Sequence, residues 1–547
     1  TGPVMGRPKS ATFRTCDVVG LDTLIHVANG LKENCPDDER NSIFQIPNYV
    51  QQMLENKWLG SKSKQGFYKK YIDKNGKKSI LELNLKTMDY QPSIKQKYST
   101  ISKAKAIDNI SKRMKALYEG EDKAAEFYQK VFRGLFSYAS CRIPEIADEI
   151  YRLDEAMKAG FGWELGPFEI WDAIGFNNGI EALKENKLII PEWIKEMSNK
   201  KISSFYKVED GKKLYYDINT KQHQLIPGSD KRIELSNLSE NSTIWKNDEA
   251  SIQDLGDGII NVAFHSKMNT IGGGILQALN KAIDLGEAGE FKGVVIANEG
   301  ANFSAGANVG MIFMMAVEQD YDELNMAVKA FQNTTMRLRY SSIPVVAAPH
   351  GMALGGGCEV CMHADKVVAH AETYMGLVEF GVGLIPGGGG TKEMALRFSD
   401  ELKSGDMRIN RFRDKFLTIG QAKVSTSAHN AIELGYLRKG IDEVIVSRAD
   451  QISHAKKVCL QLAEKGYNQK SKKKDITVLG KEGLGIVYVG ADSFYSGKFM
   501  SKHDQVISEK LGYVLCGGDL SQLTEVSEEY LLELERKAFI ELCAERK

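Results

Sequence analysis

The sequence predicts a helical first part followed by an α/β domain. Two pairs of similar segments recur in the same order within residues 6–213, and helical periodicity lies between them. From Gly258 onward, short apolar β runs alternate with amphipathic helices, which is the pattern of an α/β core. Because 547 residues exceed what one apolar core usually serves, we expect several domains.

The composition argues against several classes of partner. Lysines plus arginines number 72 and aspartates plus glutamates also 72, so no global basic field favours nucleic acid or anionic membrane. The sequence has no run of about 18 uncharged apolar residues that could span a membrane, and no signal peptide. Eight cysteines in a chain of this length indicate reduced thiols. We therefore expect a soluble, cytoplasmic protein.

The repeat in the first part rests on two markers. The segment GRPKSATFRTCDVVGLD (Gly6–Asp22) is echoed by GPFEIWDAIGF (Gly166–Phe176), and each carries Gly, Pro, aromatic residues and Asp-x-x-Gly. Further on, GFYKKYIDKNGKK (Gly66–Lys78) is echoed by SFYKVEDGKK (Ser204–Lys213). Two markers in the same order predict two related helical packing units.

Helical stripes accompany these markers. One stripe follows Pro144, a favourable first-turn residue, and consists of Ile146, Ile150, Leu153 and Met157. A second stripe consists of Ile43, Ile46, Val50 and Leu54. Each stripe predicts an amphipathic helix.

The second part predicts strands alternating with helices. Runs with strand composition are IINVAF (259–264), Gly293–Asn298, Ile343–Pro349 and Lys366–Ala371. Between the first two runs, Ile275–Ile283 has the spacing of an amphipathic helix.

The stretch HGMALGGGCEV (His350–Val360) carries three glycines after a predicted strand that ends near Ala348. No Gly-Lys-Ser/Thr follows, so it is not a P-loop. Cys358 and Cys361 have no second pair at zinc-ribbon spacing and are expected in the core. The remaining interpretation is a site where free backbone N–H groups at a helix start meet a ligand, with Glu359 about one turn inside.

An oxyanion site needs a second donor, and NFSAGAN (Asn302–Asn308) supplies a second glycine-containing turn after a strand. Taken alone, that turn could equally be an ordinary connection. Together with HGMALGGGCEV, FHSKMNT (Phe264–Thr270) and VEFGVGLIPGGGGT (Val378–Thr391), it resembles the crotonase (enoyl-CoA hydratase/isomerase) superfamily. The resemblance covers about residues 258–435 and implies a crotonase-type spiral α/β domain.

The repeats of the first part resemble the helical C-terminal domain of 3-hydroxyacyl-CoA dehydrogenases, present twice, as in the bifunctional enzymes of fatty-acid β-oxidation. That family carries its nicotinamide site on a preceding Rossmann domain. The sequence contains no G-x-G-x-x-G after a strand, so we expect the NAD-binding domain to be missing here. The implied domains are two helical repeats (1–125 and 126–235), a crotonase domain (236–435) and a C-terminal helical region (436–547).

The resemblance also implies site residues. The oxyanion donors are the N–H groups of Ala307 and Gly356, the catalytic carboxylates are Glu359 and Glu379, and Gly387 helps to hold the water. Coenzyme A binds at Lys267, Met268, Asn269, Ala305 and Gly306. Asn308 departs from the Asp of many relatives, and His350 and His363 are interpreted as structural. We expect a larger residue at Gly356 to block the site with little loss of stability.

These residues imply an enoyl-CoA hydratase that adds water to a trans-2-enoyl-CoA in fatty-acid β-oxidation. The alternatives are a noncatalytic acyl-CoA-binding or assembly module and an enoyl-CoA isomerase. No cofactor is expected in this chain, with a coenzyme A thioester as substrate, no metal, and NAD and dehydrogenase activity only together with the missing domain. That domain and a second copy of the chain are the expected partners, and apolar surface is expected near Phe13, Val18 and Val19.

Overall fold

The computed structural model describes residues 1–73, 76–94 and 96–545, which form two compact units. Unit 1 comprises Thr1–Glu209 and Lys213–Pro227, and unit 2 comprises Asp210–Lys212 and the chain from Gly228 onward. Of the predicted domain borders, the one near residue 235 lies close to the border between the two units.

Unit 1 is mainly helical. Its helices are α1 (Ala11–Val19), α2 (Leu21–Asn34), α3 (Asn48–Glu55), α4 (Ser99–Lys105), α5 (Ile110–Tyr118), α6 (Lys123–Cys141), α7 (Ile150–Phe161), α8 (Pro167–Ile174), α9 (Phe176–Glu185) and α10 (Glu192–Asn199). Its strands are β1 (Tyr68–Ile72), β2 (Lys78–Leu83), β3 (Tyr90–Pro92), β4 (Tyr206–Glu209), β5 (Lys212–Asp217) and β6 (Gln222–Leu225). They form two sheets, in the orders β1-β2-β3 and β4-β5-β6.

The internal repeat is confirmed by the same contact in both halves. The Asp17 carboxylate, at the end of α1, accepts the backbone N–H groups of Phe67 and Tyr68 at 2.8 and 2.9 Å. The Asp172 carboxylate, at the end of α8, accepts the N–H groups of Phe205 and Tyr206, the nearest at 2.9 and 2.8 Å. In each half the aspartate of Asp-x-x-Gly thus fastens a helix to the start of a three-stranded sheet.

The two halves do not meet at residue 125. That position lies inside α6, and the long apolar core of unit 1 runs from Met5 through α4–α10 to Ile226. A smaller core, with Leu21, Val50 and Phe67 among its members, holds α1–α3 to the first sheet. The chain therefore passes from the smaller core to the larger one after β3.

The two predicted stripes are partly wrong. Ile43 and Ile146 are exposed, because Ile43 lies in a short 3-10 turn and Ile146 lies before α7 begins. Val50 and Ile150, by contrast, are buried as predicted.

Unit 2 is built on a mixed sheet with seven described strands, in the order β15-β13-β11-β10-β9-β8-β7. These strands are β7 (Thr243–Lys246), β8 (Ala250–Asp254), β9 (Ile259–Phe264), β10 (Gly293–Ile296), β11 (Val345–Ala347), β13 (Lys366–His370) and β15 (Glu443–Ile445). From β9 to β15 the neighbours pair in parallel, whereas β7, β8 and β9 pair antiparallel. The predicted strands correspond to β9, β10, β11 and β13, so the α/β prediction is confirmed.

Two smaller sheets complete unit 2. In one, β12 (Gly351–Leu354) pairs in parallel with β14 (Thr373–Gly376), and in the other β16 (Ile476–Val478) pairs antiparallel with β17 (Thr524–Val526).

The helices of unit 2 surround these sheets. They are α11 (Gly273–Glu287), α12 (Val309–Glu318), α13 (Tyr321–Arg339), α14 (Gly356–His363), α15 (Gly390–Glu401), α16 (Arg408–Gly420), α17 (Ala428–Leu434), α18 (Gln451–Glu464), α19 (Lys481–Ser496), α20 (Lys502–Leu515) and α21 (Glu528–Ala544). Within the described part of the chain, none of the helices has both the length and the apolar character needed to cross a membrane.

The C-terminal helices are not a separate domain. Leu531 and Phe539 of α21 belong to the same apolar core as Ile275 of α11 and Val294 of β10. Apolar burial therefore joins the two sides of the border predicted at residue 435. This packing brings α21 to the glycine loops described next.

Candidate active site

The glycine stretch forms a strand, a turn and a helix start. A short strand, β12, intervenes between the predicted strand and the helix, and Gly355 then turns the chain into α14 with a φ of +51°. Gly355 donates its N–H to the Gly376 carbonyl at 2.8 Å. Gly356 is the first residue of α14, so its N–H points away from the helix and is free for a ligand.

The second glycine turn runs beside the first. Ser304 donates its N–H to the Met352 carbonyl and accepts the N–H of Leu354, both at 3.0 Å. This pairing brings the two predicted donors together, since a Cβ placed on Gly356 would lie 3.2 Å from the Ala307 nitrogen. Among the described residues, no protein acceptor takes the N–H of Ala307 or Gly356.

Asn308, the departure from the superfamily pattern, has a structural contact. Its side chain accepts the Met311 N–H at 3.3 Å at the start of α12. An aspartate would accept the same bond, so the substitution changes the charge beside Ala307 and keeps this cap.

Glu359 is buried in the first turns of α14. Its Oε1 accepts the backbone N–H groups of Gly388 and Gly390 at 2.8 and 2.7 Å. Burial raises the pKa of Glu359 well above its ordinary value, and the nearby carboxylates of Glu379 and Glu535 raise it further. A carboxyl group in this position readily holds a proton near neutral pH.

Glu379 begins a 3-10 turn, Glu379–Val382, that follows β14. Its Oε1 faces the first glycine turn, since a Cβ on Gly355 would lie 2.9 Å from it. Its Oε2 is buried and, within the described part of the molecule, has no hydrogen-bond partner. Burial raises the pKa of Glu379 to about 7, with Glu535 contributing in the same direction.

Gly387 precedes the loop that holds Glu359. A Cβ on Gly387 would lie 2.9 Å from the Phe539 ring of α21, so this position has no room for a side chain on that side. Its neighbour Gly388 donates its N–H to Glu359, and Cβ atoms placed on Gly388 and Gly356 would both meet the Phe331 ring, at 2.5 and 2.8 Å, so this loop lies beside the first glycine turn.

A third carboxylate reaches the same loop and was missed in the sequence. Glu535 of α21 is fully buried and accepts the N–H groups of Gly389 and Lys392 at 2.7 and 3.0 Å. One signal did exist: Glu535 occupies a position between Leu531 and Phe539 on the apolar face of its helix. An ionisable residue on such a face is buried when the helix packs.

The predicted coenzyme A residues lie along the second glycine turn. Lys267–Asn269 form a 3-10 turn in which Met268 and Asn269 have positive φ values of +59° and +52°. Ala305 donates its N–H to the Met268 carbonyl at 3.1 Å, which joins this turn to the loop that contains Gly306. Lys267 and Met268 are exposed, so the turn offers an accessible edge.

The two histidines are structural, as expected. His363 is fully buried, its Nδ1 donates to the Glu359 carbonyl at 2.7 Å, and its Nε2 accepts from Lys392 Nζ at 3.0 Å. Burial lowers the pKa of His350 to about 3, and its Nε2 contacts the Gly300 carbonyl and Arg448. Both imidazoles are therefore neutral, and each contacts a backbone carbonyl through one ring nitrogen. Cys358 and Cys361 are fully buried core residues.

Unit 1 does not fit a nicotinamide nucleotide. In its described part, β1, β2 and β3 pair antiparallel, as do β5 and β6, whereas a dinucleotide fold needs parallel βαβ units. The sequence also lacks the glycine fingerprint that holds a pyrophosphate.

Sequence comparison assigns both parts of the chain. The model of the family "Enoyl-CoA hydratase/isomerase" matches residues 254–400, and that of "3-hydroxyacyl-CoA dehydrogenase, C-terminal domain" matches residues 4–70. Unit 2 thus has the crotonase-type α/β fold that its glycine turns and sheet define.

Known proteins resemble the chain over all or part of its length. A "Probable 3-hydroxyacyl-CoA dehydrogenase" of Bacillus subtilis is 43% identical over 548 residues, which cover 100% of this chain and 68% of that protein. A protein of Rickettsia felis, named for the trifunctional enzyme of a fatty acid oxidation complex, is 28% identical over 72% of this chain and 50% of its own length. Among solved structures, an enoyl-CoA hydratase from Polaromonas sp. JS666 aligns with a TM-score of 0.34 and 21% identity, covering 48% of this chain and 90% of that one.

The chain belongs to the family of β-oxidation-type proteins that combine a 3-hydroxyacyl-CoA dehydrogenase C-terminal domain with an enoyl-CoA hydratase/isomerase domain. It spans about two thirds of the Bacillus subtilis relative and half of the Rickettsia felis relative.

Proposed function

We propose that unit 2 hydrates trans-2-enoyl-CoA thioesters to 3-hydroxyacyl-CoA in fatty-acid β-oxidation. The observation that carries this proposal is the pairing of two free backbone N–H groups, on Ala307 and Gly356, with the buried carboxyl groups of Glu359 and Glu379. The N–H groups suit a thioester oxygen, and the carboxyl groups suit proton transfer to and from water.

The oxyanion is the first chemical requirement. When water adds to the β-carbon of an enoyl thioester, negative charge develops on the carbonyl oxygen. Ala307 and Gly356 would donate to that oxygen, and the positive end of α14 lies behind Gly356. Loss of one such donor typically costs about 3–4 kcal/mol in the barrier.

The second requirement is movement of protons. The water oxygen forms a bond to the β-carbon, one water proton passes to an ionised carboxylate, and the α-carbon receives a proton from a carboxylic acid. Glu359 and Glu379 supply these two states, because burial and mutual repulsion leave one of them protonated when the other is ionised. The Gly387 backbone would help to hold the water.

We assign coenzyme A to the edge formed by Lys267–Asn269, Ala305 and Gly306. This edge is continuous with the Ala307 donor through the Ala305 to Met268 hydrogen bond. When the thioester oxygen is held at Ala307, the pantetheine and nucleotide parts of coenzyme A therefore extend toward the exposed turn.

Two other functions compete with hydration. A noncatalytic acyl-CoA-binding module would need neither glutamate, and an enoyl-CoA isomerase would manage with one. The presence of both Glu359 and Glu379 beside the donor turns favours the hydratase.

We further propose that 3-hydroxyacyl-CoA dehydrogenase activity requires an NAD-binding domain in addition to this chain. The face such a domain would cover includes Phe13, Val18 and Val19, whose exposed fractions are 43%, 62% and 54%. Apolar surface of this kind typically marks a contact with another domain or another copy.

A direct assay separates the alternatives. The purified chain is mixed with crotonyl-CoA, and the absorbance of the conjugated enoyl thioester is followed. Hydration predicts loss of this absorbance in the wild type and not in Glu359→Gln. Binding of crotonyl-CoA without any loss would favour the binding module, and conversion of a 3-enoyl-CoA into a conjugated product without hydration would favour the isomerase.

A further inference from the structure

The N-terminus of α15 is held by two carboxylates, one from α14 and one from α21. Glu359 accepts the N–H groups of Gly388 and Gly390, and Glu535 accepts those of Gly389 and Lys392. Donors at a helix start have no partner within the helix and favour negative charge. The donors at Gly388 and Gly390 thus bind a residue of the proposed active site, whereas those at Gly389 and Lys392 bind a residue of the C-terminal helix α21.

Glu535 is itself rigidly placed. Its Oε1 also accepts Gln332 Nε2 of α13 at 3.2 Å, and Arg536 donates to Gln332 Oε1 at 3.2 Å. One turn further along α21, the Phe539 ring fills the space beside Gly387. Helix α21 therefore contacts this turn at Gly387, through Phe539, and at Gly389, through Glu535.

We propose that Glu535 is a positioning residue for the proposed hydration. It orients the Gly387–Gly390 turn, and through the N–H groups of Gly388 and Gly390 it orients the Glu359 carboxylate. The inference rests on the hydratase function proposed above, and Glu535 is assigned no contact with the substrate.

The charge of Glu535 also acts on the two proposed catalytic groups. Its negative charge raises the pKa of Glu359 and of Glu379, in each case after the larger effect of burial. Burial raises the pKa of Glu535 itself to about 7. Removal of this charge should lower the pKa of both catalytic carboxyl groups, whichever of them is the base.

Other charged groups near the loop are paired with one another. Lys392 Nζ lies 2.8 Å from Glu393 and 2.9 Å from Glu528, and Arg339 lies 2.9 Å from Glu393. The remaining neighbour, His363, is neutral because burial and Lys392 lower its pKa. Arg397, 3.5 Å from Glu393, brings this set to three cations and two anions, and none of the ion pairs among the described residues of the set uses Glu535.

Three variants test the inference. Glu535→Gln removes the charge and keeps the length of the side chain, whereas Glu535→Asp keeps the charge and shortens the reach to the two N–H groups. Glu533→Gln is the matched control, since Glu533 is an exposed residue of the same helix. For each variant, kcat and KM for crotonyl-CoA are measured across the pH range, with thermal melting as a check on folding.

We expect Glu535→Gln to move both the rising and the falling limb of the plot of kcat/KM against pH to lower pH by about one unit. Interacting carboxyl groups typically shift one another's pKa by about this amount. Glu535→Asp should keep the limbs in place and lower kcat by up to about a hundredfold, the cost of a misplacement of about 1 Å. Glu533→Gln should behave as the wild type.

Unchanged limbs in a folded Glu535→Gln would overturn the inference. If that variant does not fold, Glu535→Asp decides: a lowered kcat with unmoved limbs supports the inference, and an unchanged kcat contradicts it. A wild-type chain without hydratase activity would instead overturn the proposed function, so the two failures are distinguishable.

Discussion

The Glu359 carboxylate oxygen lies 2.7 Å from the backbone nitrogen of Gly390, the first residue of α15. A proposed catalytic group therefore accepts a hydrogen bond from the start of α15, where the segment Pro-Gly-Gly-Gly-Gly ends. The same oxygen also accepts the Gly388 N–H, so the orientation of Glu359 depends on this loop.

Substitution of either glutamate should stop hydration without unfolding the chain. Glu359→Gln retains an Oε1 that can accept both N–H groups of the loop, because both bonds end on that one atom. We expect Glu359→Gln and Glu379→Gln each to lower kcat for crotonyl-CoA by at least about 10²-fold.

The double variant tests whether the two groups act on one water. Its loss should fall far short of the product of the single losses, because residues that act as a unit are not additive. Multiplicative losses, measured by the same absorbance assay, would show that the two carboxyl groups work separately.

The pH profile should report the raised pKa values. Burial raises the pKa of Glu379 to about 7 and raises that of Glu359 well above its ordinary value, so the carboxyl group that must be ionised should gain its charge at a higher pH than an exposed glutamate does. We expect kcat/KM for hydration to rise as the pH increases toward about 7 and to fall again at higher pH, where the second carboxyl group loses its proton. A profile that is already flat from pH 5 upward, near the ordinary pKa of a glutamate, would contradict this environment.

Substitution of Gly356 should affect both activity and stability. A Cβ there would lie 2.8 Å from the Phe331 ring and 3.2 Å from the Ala307 nitrogen. We expect Gly356→Val to abolish turnover and, because Phe331 is a buried core residue, to cost about 1–3 kcal/mol of stability through overpacking. The sequence alone suggested little loss of stability, and the contact with Phe331 replaces that expectation with this larger cost.

Thermal melting together with the hydratase assay checks this prediction. Gly273→Ala is a suitable control, since a Cβ at Gly273 meets nothing within 4 Å. Near-normal activity in Gly356→Val would remove this turn from the site.

The elements predicted correctly have locally distinctive composition. Strands such as Ile259–Phe264 are buried throughout and are nearly all apolar, so a short window of sequence suffices to find them. The two glycine turns were also recognisable, because close backbone approach restricts the residue type.

The features that were missed depend on long-range packing. Glu535 meets Gly389 across 146 positions of sequence, and local periodicity indicates only that α21 has an apolar face. The border predicted near residue 125 falls inside α6, which packs with α8 in the larger core. Periodicity does not indicate which core a helix joins. Ile146 was predicted to be helical because the apolar stripe begins before the actual start of α7.

The chain should not oxidise the product of the proposed reaction. Hydride transfer needs a nicotinamide held beside the substrate carbinol, and neither the sequence nor the described strands of unit 1 supply a dinucleotide site. We expect no NADH when NAD⁺ and a 3-hydroxyacyl-CoA are added to the purified chain, under conditions in which crotonyl-CoA is hydrated. NADH formation by the clean protein would mean that a nucleotide site exists in unit 1 or unit 2.

The most direct test of the central claim is the fate of the water. Crotonyl-CoA is incubated with the purified chain in water labelled with the heavy oxygen isotope, and the product is analysed by mass spectrometry. We expect the wild type to form 3-hydroxybutyryl-CoA that carries the label at its hydroxyl oxygen, and Glu359→Gln to form it at least about 10²-fold more slowly. Unlabelled, unchanged crotonyl-CoA bound to a folded wild-type chain would contradict this expectation.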